Sequence, residues 1–293
     1  NGYPVKTKNF RWYMSTYYSV NLNKVQTDDA RNYNLNDYLN GTAVVSGQPI
    51  STFYSYKFLG LNPQNGAPMF DDWEDRWHLL QGKTLDEVVP MILVNSGTRD
   101  PKFSGDLNNT FTYKNWSLSL NFSYSLGSKV RLFEMYGPII NGISAAANVR
   151  EEFLDRWQVP GDEKYTVYPS IISPSSPDYE HYRLHYSAPQ RAVGPNSGVP
   201  AFANNVWQMY DDSDLRVVSG NYLKLQSLSL SYRLNDRLLR KTPFTQLSIS
   251  FNTHNCFTIS AKELRGQDPS QAGFADAGLS IRPSYTIGLN VSF

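Results

Sequence analysis

A chain of 293 residues is long enough to bury a substantial core in one large β-domain or two smaller ones, and its 27 Lys plus Arg against 26 Asp plus Glu leave a net charge of +1. That balance offers neither a basic field for nucleic acid nor an acidic tail. The lone Cys256 excludes an intrachain disulfide or a multi-cysteine metal site, and no run of about 18 apolar residues encodes a transmembrane helix.

Aromatic residues reach 14% and stand beside Ser and Asn in the same segments, a mixture that favours strands. The chain opens at Asn1 without an apolar signal segment, as expected of a fragment or a processed chain. The first long strand is read in NFRWYMSTYYSVNLN, where Phe10, Trp12, Met14, Tyr18, Val20 and Leu22 share one face and Arg11, Tyr13, Ser15, Tyr17, Ser19 and Asn21 the other. Its length of about fourteen residues exceeds the common strand of about five or six. STFYSYKFLGL, at 51–61, reads as a further strand. In LNNTFTYKNWSLSLNFSYSLG, Leu107, Asn109, Phe111 and Tyr113 lead into a turn at Lys114 and Asn115. Trp116, Leu118, Leu120, Phe122, Tyr124 and Leu126 then alternate with serines and Asn121, which predicts a tight hairpin.

Val149, Phe153 and Trp157 recur at helical spacing and predict a short loop helix over 148–157. The stretch 137–214 is rich in proline and lacks strand periodicity, so it reads as one long loop of the kind that usually carries function. Strands resume at 221–234, at 245–260, where Leu247, Ile249 and Phe251 oppose Ser248, Ser250 and Asn252, and at 284–293. Roughly eight to ten strands are expected. In the last, Tyr285, Ile287, Leu289, Val291 and Phe293 alternate with Ser284, Thr286, Gly288, Asn290 and Ser292.

Long alternating strands, short turns on one side and long loops on the other are the habit of outer-membrane barrels, with small polar residues suited to a hydrated lumen and Tyr or Trp near strand ends suited to interfacial girdles. Soluble antiparallel sheets alternate as well. A secreted soluble β-protein that binds or cleaves glycans therefore stands as the alternative.

Candidate chemistry is thin. Asp71, Asp72, Glu74 and Asp75 in FDDWEDRW, and Asp211, Asp212 and Asp214 in YDDSD, supply oxygen ligands without the spacing of a calcium loop, and are expected as solvated acidic loops. His78, His181, His185 and His254 form no spaced metal set. His254 and Cys256 lie two apart in a strand with no evident third group or oxyanion hole, and no GxSxG elbow occurs. No catalytic residue, cofactor or metal is assigned. The loop aromatics Tyr136, Tyr165, Tyr168, Tyr179, Tyr182, Tyr186 and Trp207 suit either stacking on sugars or a partner, or packing of the loops among themselves.

Five stretches carry a resemblance in order: GQPISTFYSYKFLGLNPQNGAPMFDD at 47–72, DPKFSGDLNNTFTYKNWSLSLNFSYSLGSKV at 100–130, FLDRWQVPGDEKYTVYP at 153–169, SGNYLKLQSLSLSYRL at 219–234, and FNTHNCFTIS followed by GQDP and SYTIGLNVSF. Together they resemble the C-terminal part of the SusC/RagA-type TonB-dependent outer-membrane transporters of Bacteroidetes. The resemblance implies an all-β fold, with residues 1–293 forming the C-terminal portion of an antiparallel transmembrane barrel of about 22 strands with long extracellular loops. It implies import of glycans or oligopeptides in the outer membrane. It further implies TonB acting through an N-terminal part, a plug, the rest of the barrel and a SusD-like surface lipoprotein as lid. Neither plug, TonB box nor early strands are found in this chain, and the cargo is not legible. On the same basis Tyr285, Ile287, Leu289, Val291 and Phe293 resemble the C-terminal signal read by barrel-assembly machinery, so the chain is expected to end where the barrel closes.

Overall fold

In the computed structural model, the residues described are 1–26, 33–73, 75–137, 149–184, 186, 205–270 and 282–293. They form thirteen strands: β1 (Gly2–Lys6), β2 (Phe10–Val20), β3 (Thr52–Tyr56), β4 (Gly60–Leu61), β5 (Pro68–Met69), β6 (Leu93–Thr98), β7 (Phe103–Tyr113), β8 (Trp116–Leu126), β9 (Lys129–Arg131), β10 (Val217–Ser219), β11 (Tyr222–Arg233), β12 (Gln246–Ser260) and β13 (Ser284–Ser292). Seven of them make one antiparallel sheet in the order β1-β2-β7-β8-β11-β12-β13. The sheet is open: β1 and β13 are each paired on one side only.

Register converts the alternation of each strand into two continuous faces. Phe111 lies opposite Trp12 and Leu118, Leu118 opposite Leu230, Leu230 opposite Phe251, and Phe251 opposite Ile287. On the other face Thr110, Ser119, Ser229, Asn252 and Thr286 follow one another across the same strands. A slip of one residue in any pairing would mix the two sets, so the segregation itself specifies the register. Asn109, Thr16 and Thr253 are polar residues on the apolar face, and the Trp12 indole Nε1 donates to Asn109 Oδ1 at 3.0 Å. On the polar face, hydroxyls and amides meet across strands, with Thr110 Oγ1 3.2 Å from Ser119 Oγ and Ser229 donating to Asn252 Oδ1 at 2.6 Å.

The β7–β8 turn falls at Lys114 and Asn115 as expected, with Lys114 in the left-handed region at φ 51°. The short turns 7–9 and 114–115 and the connection 234–245, which carries a helical turn at Asp236–Leu239, share one end of the sheet, tied by Lys114 N donating to Asn9 O and Asn115 Nδ2 to Arg233 O. The connections 21–102, 127–221 and 261–283 leave from the other end.

Those connections build the core. Its most buried members, among them Leu39, Tyr56, Val88, Tyr136, Met209 and Tyr210, all come from the first two connections, and no strand of the large sheet contributes to that cluster. STFYSYKFLGL is therefore not a strand of the large sheet. Its Thr52–Tyr56 pairs with β6 in a separate two-stranded sheet and is buried on both faces, while 60–72 holds the small β4–β5 hairpin. The expected strand is present over Thr52–Tyr56, and because a strand covered on both faces can carry the same Tyr/Ser alternation as one with a hydrated face, the pattern does not say which sheet it joins. The 148–157 helix is a 3-10 helix over Glu151–Asp155. Helix α1 (Leu35–Asn40) is closed by an Asn34–Asp37 capping box, and α2 (Leu85–Ile92) by one between Thr84 and Glu87.

The YDDSD acids are all engaged, with Asp211 buried and Asp212 and Asp214 half-buried. Asp211 is buried and accepts the backbone amides of Met135, Tyr136 and Gly137 at 2.8, 2.8 and 2.9 Å. Asp212 meets Arg131 at 3.0 Å, and Asp214 takes Lys57 Nζ at 2.6 Å and the Phe58 amide at 3.0 Å. Arg131 also donates to Leu39 O, Tyr54 O and Ser55 Oγ, so one guanidinium holds the first connection against the second. Removing one member of such a buried set strands its partners. Asp211→Ala is expected to destabilise the loop body by about 3–5 kcal/mol, read as faster hydrogen exchange at the Met135 and Tyr136 amides with exchange in β8 and β11 unchanged.

Candidate functional site

The part of the molecule able to meet a solute is the junction between the polar face and the loop body. Ser125 at the end of β8 and Tyr222 at the start of β11 face a cavity whose other walls are loop residues, including Ser51, Arg99, Asp100, Ser128 and Ser270. Beside it Lys224, a single cation within the serine-rich run of β11, forms an ion pair with Asp268 of the third connection at 2.7 Å, with both side chains buried. Burial raises the Asp268 carboxyl. The Lys224 ammonium and the hydroxyl and amide of Ser270 outweigh it and hold Asp268 below the usual aspartate range. This pair fastens the third connection to the polar face of the sheet.

The remaining candidates are dispersed. Asp71 forms a two-oxygen pair with Arg76, each at 2.6 Å, and Arg76 stacks over Trp73; Glu74 lies outside the described residues. Among the described residues no group of three or more His, Cys, Asp or Glu is placed to hold a metal ion. His185 lies outside the described residues, and His181 sits edge-on to Tyr182. In β12 a bulge at Asn255, with φ 54°, separates His254 from Cys256, whose Sγ is 3.3 Å from Thr253 Oγ1.

Packing claims most of the loop aromatics. Tyr136, Tyr179, Tyr186 and Trp207 are buried in the loop core, Tyr168 and Tyr182 pack against it, and only Tyr165 of the seven is open to solvent, at 91%. Tyr136 donates to Pro169 O at 2.5 Å, and the Tyr186 hydroxyl bridges the Phe70 amide and carbonyl, with burial pushing its pKa up to about 12. Tyr285, Ile287 and Leu289 stand on the apolar face of the edge strand β13, with Ile287 76% and Leu289 68% exposed; Val291 follows on the same face. Phe293, 85% exposed, meets Phe244 edge-on at 5.2 Å. Arg131 and the Lys224–Asp268 pair escaped the sequence reading because their partners lie far along the chain. The one available signal was Lys224 itself, a charge inside a strand otherwise lined with Leu, Ser and Gln.

Long antiparallel strands with one apolar and one hydroxyl-lined face, and large connections at one end only, are the features that outer-membrane barrel walls share. The comparisons agree. No family model matches the chain. It is 22% identical over 269 residues to TonB-dependent receptor P3 of Formosa agariphila, which takes in 84% of this chain and 22% of that protein. It superposes on solved structures of the RagAB peptide transporter at a TM-score of 0.59, and of the RagAB peptide importer in its open-open and closed-closed states at 0.61 and 0.62. Each superposition has 16% identity and covers 100% of this chain and 28% of the other. The chain thus spans less than a third of the length of the relatives it matches. Its fold is that of part of a TonB-dependent transporter, and its likeness is to the SusC/RagA type.

The Lys224–Asp268 pair gives a pH expectation. A carboxyl held below its ordinary value near 3.9 contributes stability that is complete above that value and lost as pH falls through the lowered one. The Ser270 amide, which donates to Asp268 Oδ1 at 2.9 Å, should stay protected from hydrogen exchange at neutral pH and lose protection only below about pH 4. In Lys224→Met the loss should begin at higher pH.

Proposed function

We propose that this chain forms the C-terminal portion of the barrel wall of a TonB-dependent outer-membrane importer of nutrients. The apolar face meets lipid, the polar face lines the lumen, and the three long connections stand at the extracellular mouth. The observation that carries this reading is the register-matched segregation of apolar and polar residues across a seven-stranded sheet whose two edge strands are each paired on one side only. In lipid an open edge is not tolerated, so β1 and β13 pair with strands outside this chain. Dimensions support it. Eleven residues in β7 or β8 reach about 36 Å along the strand at ~3.3 Å each, or roughly 28 Å of height at a tilt of ~40°, near the apolar band of about 25 Å in such barrels. Trp116 and Tyr232, with ring centroids 4.7 Å apart, mark one border of that band.

The cargo is a glycan or an oligopeptide, and transport involves no bond chemistry. Energy from TonB reaches the pore through segments outside this chain, and a SusD-like lipoprotein covers the loops. The names of the relatives, a TonB-dependent receptor and a peptide importer, support this assignment. The alternative of a soluble glycan-binding β-protein requires the apolar face to meet a core. Among the described residues nothing covers Ile287, Leu289 or Ile259. The apolar side chains Tyr285, Ile287, Leu289 and Val291 of β13, with Phe293 just after it, form the surface by which assembly machinery receives the barrel.

Two substitutions on neighbouring residues test the assignment of faces. Leu228→Arg places a charge in the middle of the lipid face at an expected cost of about 2–4 kcal/mol and should lower the amount of folded transporter in outer-membrane fractions, whereas Ser229→Arg on the lumen face should leave assembly intact. Equal assembly of the two would overturn the membrane reading. Leu289→Asp, or deletion of Phe293, should likewise reduce surface levels of the complete protein, and unchanged levels would count against the role given to β13.

A further inference from the structure

The cavity at the top of the polar face has a volume of about 450 Å³, within the range of small-ligand sites. Its lining is rich in hydroxyl-bearing residues, Ser51, Ser125, Ser128, Tyr222 and Ser270, and Arg99 is one of its lining residues. Arg99 is an unusual cation for this molecule. Its Nε is shielded from solvent and has no hydrogen-bond partner, and among the described residues no carboxylate lies within ion-pairing distance. Its guanidinium carbon stands 5.5 Å from the centroid of the Phe53 ring, and that of Arg131 stands 5.3 Å from the same centroid. Two guanidinium groups therefore share one aromatic ring. Arg131 is neutralised by Asp212 at 3.0 Å, which leaves Arg99 with the uncompensated charge. Burial and the neighbouring Arg131 both disfavour the protonated form of Arg99, yet a guanidinium keeps its proton in proteins. Asp100 lines the same cavity, but its carboxylate accepts from the Ser51 hydroxyl and does not pair with Arg99.

A half-buried guanidinium without a counterion is costly to maintain, and the cost is recovered when an oxyanion arrives. The planar fork of Arg favours a planar carboxylate, and a single free positive charge with Asp100 close by favours a group carrying one negative charge over a phosphate dianion. We propose that this cavity is a subsite for a carboxylate group of the transported cargo, which docks on Arg99 while the surrounding hydroxyls bond the polar groups next to it. The proposal rests on the importer reading, since only then does the polar face of β8 and β11 line the route of the cargo. Two sources carry this group, the uronic acid of an acidic glycan and the C-terminal end of a peptide.

Saturation-transfer NMR on the complete transporter in detergent micelles tests it with four probes: glucuronate and its neutral counterpart glucose, and N-acetylglycine and its neutral counterpart N-acetylglycinamide. At least one carboxylate should bind in clear preference to its neutral counterpart; glucuronate alone indicates an acidic glycan, N-acetylglycine alone a peptide end, and both a site that reads the carboxylate itself. Arg99→Gln should weaken that binding about ten- to hundredfold, as expected for loss of a charged hydrogen-bonding partner, and Arg99→Lys should retain part of it. Should Arg99→Gln fail to fold, Ser270→Trp, which fills the cavity from an exposed loop position, should abolish the same preference. Equal response to carboxylate and neutral probes in the wild-type protein, or a preference that survives Arg99→Gln or the filled cavity, overturns the subsite. Failure of the importer reading is seen separately, as absence of the protein from the outer membrane, whereas an inserted barrel with no carboxylate preference overturns the subsite alone.

Discussion

No strand of the large sheet contributes to the main buried cluster of the described residues, and this constraint shapes the rest of the molecule. Backbone hydrogen bonds between strands hold the sheet together, and register keeps its faces pure, as in the chain of contacts from Trp12 through Leu118 and Leu230 to Ile287. Side chains on such a sheet specify where it lies more than they bury one another. The long connections cannot borrow an interior from it. They bury their own apolar residues, and they do so with an aromatic-rich cluster in which Tyr56, Tyr136 and Tyr210 are almost completely enclosed.

That loop body is fastened by charge as much as by packing. Arg131 leaves the short strand β9 and reaches two carbonyls and a hydroxyl of the first connection while pairing with Asp212 of the second. Asp211 gathers three successive amides, and Lys224 with Asp268 attaches the third connection to the wall. Such buried polar joints tolerate little displacement, because a partner left alone bears the full cost of desolvation. The described parts of the connections are thus held to one another, and Arg99, which has no carboxylate partner among the described residues, stands out against neighbours whose charges are matched.

The wall strands were legible because their signal is local. Alternation over 10–22, 107–126, 221–234 and 245–260 finds these strands, although β2 ends at Val20 and β7 begins earlier, at Phe103, and the turn at Lys114 and Asn115 needed nothing beyond its own hairpin. The same rule finds the strand at Thr52–Tyr56 but not its sheet, because alternation of Tyr and Ser reports a strand but not what lies on either side of it. It failed for the YDDSD acids. Three carboxylates in five residues read as solvated, yet each is matched by residues more than seventy positions away, at Met135, Arg131 and Lys57.

What the sequence alone determined was the existence of long two-faced strands, their hairpin, the polarity of each face and the likeness to SusC/RagA-type transporters, since period-two patterning and short-range turns are properties of neighbouring residues. Only the tertiary structure decided which strands belong to the wall, that the long connections form a body with a core of its own, and that Arg99 comes to rest beside Arg131 at the rim of a hydroxyl-lined cavity. Those features arise from contacts between residues distant in the chain, and pairing of that kind leaves no periodic trace in the order of amino acids.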